Sequence, residues 1–344
     1  MSATQQSIEI ANSLVALGKG ILAADESPGT IKRRFDSIGV ESTAENRRNY
    51  REMLFSTQGA SEFISGVILY DETIRQEGNN GKPLVQILSE LGIIPGIKVD
   101  MSTNPLSGSE GEVITDGLDG LRERLADYVS LGAKFTKWRA VINIGEGIPT
   151  RYCIETNAHA LARFAGLTQE AGLVPIVEPE VLMDGDHNIE TCYEVTAMCL
   201  REVYYQLGIQ NINLAGTLLK PNMVLSGKDA SNRAGPNHVA EMTVECFKNS
   251  VPAAVPGIVF LSGGQGDDEA TSNLNAINLY AASVGVPWEL SFSFGRGLQA
   301  APLKAWGGDS GKFPEARKAF YKRAMLTSAA RRGEYNSQME NDTD

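Results

Sequence analysis

Short apolar runs that close on a charge alternate along this chain with longer stretches whose apolar residues recur every three or four positions. Eight runs have strand character: Gly20–Asp25, Phe63–Asp71, Gly96–Asp100, Ala133–Val141, Val174–Val181, Ile212–Lys220, Gly257–Ser262 and Glu289–Phe294. Between them, Leu118–Leu131 places Leu118, Leu121, Leu125 and Val129 on one helical face, and Asn157–Ala171 does the same with Ala158, Leu161, Ala162 and Ala165. Glu190–Leu207 and Pro236–Ser250 are further helix candidates. Pro314–Arg332 has proline in its first turn and meets Gly333 near its end, the usual punctuation of a helix. Strand alternating with helix implies a parallel sheet, and eight units in one chain point to a closed (β/α)8 (TIM) barrel forming a single domain over residues 1–344. Residues 1–17 fall outside the repeat as an N-terminal helical extension, and the polar stretch 334–344 is expected to be a mobile tail.

The polar positions within the runs carry the chemistry. Most runs begin apolar and end ionic: Asp25, Asp71 with Glu72, Lys98 with Asp100, Lys137 with Arg139, Glu178 with Glu180, Lys220, Ser262, and Ser293 followed by Arg296. Side chains two apart on a strand share a face, so each of the pairs Lys98/Asp100, Lys137/Arg139 and Glu178/Glu180 points one way. Lys98, Lys137, Glu178, Lys220 and Ser262 follow one another at steps of 39, 41, 42 and 42 residues, about one β/α unit each. Five residues in such register predict one layer of opposite charges at the C-terminal mouth of the barrel, where barrel enzymes place their reactive groups.

Two glycine-rich loops add anion-binding character. Leu261-Ser262-Gly263-Gly264-Gln265-Gly266 follows the seventh run and Ser293-Phe294-Gly295-Arg296-Gly297 the eighth. Glycine lets backbone N–H groups approach an anion, and loops after strands seven and eight often hold phosphate in this architecture. A second basic cluster, Lys32-Arg33-Arg34, follows Asp25-Glu26-Ser27-Pro28-Gly29-Thr30. Gly295-Arg296-Gly297-Leu298-Gln299-Ala300 also fits a dinucleotide fingerprint, but it comes late, no βαβ unit follows it, and its arginine would crowd a pyrophosphate turn.

Composition narrows the class. The net charge of −11 disfavours nonspecific contact with nucleic acid or anionic lipid, so any anionic substrate needs a local basic pocket. The four cysteines form no C-x-x-C pair and read as buried free thiols. The first twenty residues lack the pattern of a signal peptide, and no apolar run approaches about 18 residues, which predicts a cytoplasmic protein without a membrane span. His159, His187 and His238 are scattered and suggest neither a metal site nor a Ser-His-Asp triad, so no metal or cofactor is expected. Lysine remains as the nucleophile. Burial and a neighbouring cation favour the free amine, and these considerations stop at three candidates: Lys98, Lys137 and Lys220.

At this point the chain resembles the class I fructose-bisphosphate aldolases. The resemblance rests on Gly20–Ser27, Gly96–Asp100, Lys137–Arg139, Val174–Glu180, Asp184–His187, Gly216–Met223, Phe260–Gln265 and Leu298–Gly308, in order over nearly the whole chain. It implies reversible cleavage of fructose 1,6-bisphosphate to dihydroxyacetone phosphate and glyceraldehyde 3-phosphate through a lysine Schiff base, in a cytoplasmic homotetramer. Lys220 would form the imine, Glu178 with its neighbour Glu180 would transfer protons, Asp25 would take the hydroxyl proton at the bond that breaks, and Lys137 would supply positive charge beside them. Arg296, Ser262, Gly263, Ser293 and Gly295 would hold the sugar on the C1-phosphate side. Lys98, Ser27 and Arg34 would line the C6-phosphate side, with Arg139 near. Another Schiff-base barrel enzyme, such as a transaldolase or sugar-acid aldolase, is the rival, and two phosphate clusters favour a bisphosphate. Two departures stand out. The last tyrosine is Tyr335, nine residues before the end, where the family has a terminal tyrosine that assists proton exchange. That step falls to another group or is slow. Ser27-Pro28-Gly29-Thr30 replaces the commoner Ser-Thr-Gly-Ser and leaves the outer phosphate contact at Thr30 open.

Overall fold

The computed structural model describes residues 3–341. Ten strands run in chain order: β1 Gly20–Ala24, β2 Ile64–Leu69, β3 Ile94–Lys98, β4 Thr103–Pro105, β5 Val113–Thr115, β6 Phe135–Ile142, β7 Val174–Val181, β8 Leu218–Leu219, β9 Gly257–Phe260 and β10 Glu289–Phe294. Eight of them close in the order β1-β10-β9-β8-β7-β6-β3-β2, every neighbouring pair parallel. The barrel is therefore the expected (β/α)8 architecture. β4 and β5 form a separate antiparallel ribbon between the third and fourth barrel strands, which the sequence pattern did not suggest.

The period-two pattern sorts each strand. Ile21 and Ala23 of β1 join the cluster inside the barrel, while Leu22 and Ala24 pack outward against the helical layer. On β6, Trp138 faces out and stacks on Phe164 of helix Arg151–Glu170, with ring centroids 5.6 Å apart. Lys137 and Arg139 are thereby turned into the lumen. The N-terminal helix Ala3–Leu14 closes the opposite end. Leu14 and Val15 fill space that glycine leaves on β2 and β9: a Cβ at Gly66 would lie 2.6 Å from Leu14 Cδ2, and one at Gly257 2.6 Å from Val15 Cγ1. With the bottom of the lumen packed by apolar side chains, only the C-terminal mouth is left for polar groups.

Several boundaries differ from expectation. The sixth run, Ile212–Lys220, is strand only at Leu218–Leu219, because Asn213 caps a short 3-10 turn over Leu214–Gly216 and Pro221 brings no N–H to extend the ladder. The third strand starts at Ile94 and ends at Lys98, so Asp100 lies beyond it. Asp71 and Glu72 open a short helix, Asp71–Ile74, and do not end β2. Helices Pro28–Asp36, Ala44–Phe55, Leu84–Glu90, Asp267–Val284 and Arg296–Trp306 complete the outer ring. Their dense polar faces, or in the last case an internal proline, hide the periodicity. The four cysteines are free and buried. Past the last long helix, Tyr335 Oη donates to Glu340 at 3.0 Å, and Arg323 Nη1 donates to the same carboxylate at 2.7 Å. Residues 1–2 and 342–344 lie outside the described residues. No described helix is long and apolar enough to cross a membrane.

Candidate active site

A cleft of about 620 Å³ opens at the C-terminal mouth, and all fourteen residues given a role above line it. They come from seven of the eight barrel strands, all but β2, and the loops that follow them. Register explains the convergence: Lys98 on β3 is level with Lys137 on β6, and Arg139 is level with Glu178 on β7.

Lys137 is the hub. Its Nζ lies 2.7 Å from Asp25 Oδ2, 3.1 Å from Glu178 Oε2 and 3.7 Å from Asp100 Oδ2. The other oxygen of Glu178 lies 3.1 Å from Lys220 Nζ, so the two lysines share one carboxylate. Lys220 is only 3% exposed, and its side chain continues a strand whose neighbours are apolar. Nearer the mouth, Arg139 Nε donates to Glu180, two residues beyond Glu178 on β7. Lys98 pairs with Asp100 at 3.0 Å and lies over the Tyr70 ring. Burial alone would raise the Asp25 carboxyl, but the charges of Lys137, Lys220 and Lys98 outweigh it and hold it far below the usual carboxylate range. Glu178 is likewise held low by Lys137, Lys220 and Arg139 against its burial. Lys137 moves the other way: burial opposes its charge, but Asp25, Glu178 and Asp100 overcome this and raise it well above an ordinary lysine.

The loops after β9 and β10 abut. A Cβ on Gly264 would lie 3.9 Å from Arg296 Nη2, and one on Gly297 would lie 3.4 Å from Ser262 Cβ. Gly263 and Gly264 have φ of +47° and +93°, backbone that side chains other than glycine rarely adopt. Arg296 is exposed and has no ion-pair partner among the described residues. Ser293 Oγ is buried with no hydrogen-bond partner among them. Across the cleft, Ser27 caps helix Pro28–Asp36 by accepting from Thr30 N, and Arg34 reaches in from the same helix. Two anion-ready corners thus flank the buried lysines.

Residues 6–344 match the family described as class-I fructose-bisphosphate aldolase, a glycolytic family. The chain belongs to the class I fructose-bisphosphate aldolases. It is 54% identical over 332 residues to a probable class 1 aldolase of Xanthomonas campestris, covering 96% of this chain and 98% of that one. It is 50% identical over 336 residues to aldolase B of Gallus gallus, covering 97% and 92%. A solved fructose-bisphosphate aldolase from Plasmodium falciparum superposes with a TM-score of 0.95 at 45% identity, covering 97% of this chain and 96% of that one. The family's reaction, aldol cleavage of fructose 1,6-bisphosphate, is the function of this aldolase.

Three polar contributors to this aldolase site were given no role from sequence. Asp100 accepts from the backbone N of Arg139 at 3.2 Å while facing Lys98 and Lys137. Its place two residues after Lys98 was a signal that could have found it. Glu26 and Gln299 meet through a 2.7 Å hydrogen bond although 273 residues separate them, and no local pattern announces that. His187 lies outside the cleft lining. Among the described residues, no group of three or more His, Cys, Asp or Glu side chains is arranged to hold a metal ion.

Proposed function

We propose that Lys220 is the amine that forms the Schiff base with C2 of the sugar, and that Glu178, Lys137 and Asp25 handle the protons around it. The observation that carries this reading is the shared carboxylate: Lys220 and Lys137 contact opposite oxygens of Glu178 in a lumen closed on all other sides. A nucleophilic amine must lose a proton before attack and the carbinolamine must lose water, so an acid/base within hydrogen-bond reach is required. Glu178, 3.1 Å from the amine, has that place, and Glu180 with Arg139 backs it toward the mouth. The protonated imine then accepts the electron pair of the C3–C4 bond while the C4 hydroxyl gives up its proton. Asp25 is the base for that proton, since Lys137 keeps it ionised. Lys137 stays cationic throughout and stabilises negative charge developing on oxygen.

The C1 phosphate is assigned to Ser262, Gly263, Gly295 and Arg296, with Ser293 below them offering a free hydroxyl. The C6 phosphate is assigned to Lys98, Ser27 and Arg34, with Arg139 beside them. A cytoplasmic homotetramer is part of the same reading. Supporting it are a cytosolic aldolase of Arabidopsis thaliana that is 52% identical and the exposed apolar side chains Tyr152, Met198 and Tyr205 on the paired helices Arg151–Glu170 and Ile189–Ile209.

Borohydride reduction in the presence of dihydroxyacetone phosphate tests the assignment. Mass spectrometry is expected to find the adduct on Lys220, and Lys220→Ala to abolish both the adduct and turnover, while EDTA leaves both intact. A tag on Lys98 or Lys137 would overturn it. Faster turnover of fructose 6-phosphate than of the bisphosphate would favour the transaldolase rival.

A further inference from the structure

Behind the first loop lies a buried polar strut that the chemistry above does not use. Glu26 follows Asp25 just past the end of β1 and borders the cleft, but its carboxylate is engaged by Arg34, Gln299 and Arg51 and by none of the lysines. Its carboxylate is 5% exposed. One oxygen, Oε1, accepts from Arg34 Nη1 at 2.5 Å and from Gln299 Nε2 at 2.7 Å. Gln299 is 1% exposed and also donates to the Ala23 carbonyl at 2.7 Å. Arg51, equally buried, donates to the Glu26 carbonyl at 2.9 Å and stands 3.7 Å from the carboxylate. Arg34 belongs to the helix after β1 and Gln299 to the helix that begins at Arg296. A single carboxylate oxygen therefore ties together the elements that carry the two phosphate corners.

The effect on Arg34 is specific. Of the three consecutive basic residues, Lys32 turns outward to Asp36 and Arg33 donates to Thr30 Oγ1. Arg33 and Arg34 both border the cleft, but Arg34 is the one tied to the buried Glu26 carboxylate, and its Nη2 would lie 3.7 Å from a Cβ on Gly295. Among the described residues its only ion-pair partner is Glu26, which engages Nη1 and leaves the rest of the guanidinium to face the cleft. Burying such a network is a poor route to stability, since a well-packed apolar group would serve as well. It does hold a flexible side chain in one rotamer, which conserves the free energy otherwise spent ordering it on binding.

We propose that Glu26, clamped by Gln299, is a positioning residue that presets Arg34 for the second phosphate and so selects a bisphosphate over a monophosphate. The proposal rests on the assignment of Arg34 to the C6-phosphate side.

The test compares kcat/KM for fructose 1,6-bisphosphate and fructose 1-phosphate in Glu26→Ala, Gln299→Met and Arg34→Met, and in the Glu26→Ala/Arg34→Met double variant. Loss of a charge-assisted hydrogen bond predicts a fall of roughly 10- to 100-fold on the bisphosphate for Glu26→Ala, appearing in KM, with fructose 1-phosphate little changed. Glu26→Gln keeps an acceptor and should recover part of the loss. In the Arg34→Met background, Glu26→Ala should add no more than about twofold, because it acts through the residue already removed. If Glu26→Ala does not fold, Gln299→Met decides the matter, since it leaves Arg51 with its carboxylates Glu26, at 3.7 Å, and Glu72, at 3.9 Å. An equal loss on both substrates for Arg34→Met would overturn the phosphate assignment itself. A selective Arg34→Met combined with an unselective or additive Glu26 or Gln299 variant would overturn the strut alone.

Discussion

Replacing Lys137 by methionine keeps an unbranched side chain, one atom shorter, and removes the charge together with its N–H donors. Its Nζ lies 2.7, 3.1 and 3.7 Å from carboxylate oxygens of Asp25, Glu178 and Asp100. At an effective dielectric of about 20, charges at such separations attract by roughly 6, 5 and 4.5 kcal/mol. Desolvation of the ammonium and repulsion among the crowded carboxylates cancel most of that sum. The net cost of leaving the acids without their hub is about 3–5 kcal/mol at neutral pH. The sign of its pH dependence follows from the shifts. In the parent, Asp25 and Glu178 are depressed, so their contribution is present above the unfolded value of about 4 and is lost only as pH falls through the lower folded values. Lys137 is raised, so its contribution is complete below about pH 10 and is lost at still higher pH. In the variant, burial and mutual repulsion dominate, the carboxyls rise above their unfolded values, and protonation relieves the strain. The stability gap should therefore narrow between pH 8 and pH 5.5, by up to about 1.4 kcal/mol per pH unit for each group that titrates. Denaturant unfolding of both proteins at the two pH values measures it, with kcat expected to fall about 10²- to 10⁴-fold. A gap that stays constant with pH, or a kcat within about tenfold of the parent, would refute the view that Lys137 is the leading charge among those that hold these acids ionised.

Two further outcomes are expected. Arg296→Ala removes an exposed guanidinium, without an ion-pair partner among the described residues, from the proposed C1-phosphate corner, so KM for fructose 1,6-bisphosphate should rise roughly 10- to 100-fold at nearly unchanged thermal stability, and steady-state kinetics beside a melting curve would show it. Gly96→Ala places a Cβ 2.3 Å from the Phe135 ring at the packed end of the barrel, so unfolding experiments should show a loss of about 1–3 kcal/mol, with the KM of any folded enzyme preserved because the cleft lies at the other end.

Much of the site was legible because its logic is local. Lys137 and Arg139 flank Trp138, and an apolar Trp packed outward forces both neighbours inward whatever the rest of the chain does. Glu178 and Glu180 obey the same parity on β7. The regular spacing of charges along the chain reported that several strand ends carry them toward the mouth, but not the stagger by which Lys137 stands opposite Ile176 and Glu178 opposite Arg139. Illegible were the features set by the handedness and stagger of closure. That Lys98 lies level with Lys137, and that Lys137 and not Lys98 reaches Asp25, depends on how eight strands tilt against one another. The sixth strand was overdrawn because an apolar run does not reveal that Asn213 starts a turn in its middle.

From composition, periodicity and punctuation alone came a parallel eight-unit barrel, an ionic mouth, two anion-binding loops and a choice among three lysines, since strand parity and glycine-rich turns depend only on neighbouring residues. Tertiary structure alone decided that two lysines divide a single carboxylate between them, and that Glu26 meets Gln299 from the far end of the chain. The first pairing exists only once β6, β7 and β8 lie side by side, and the second only after closure brings the first and last strands together, and Coulomb and hydrogen-bond energies depend on those distances in space.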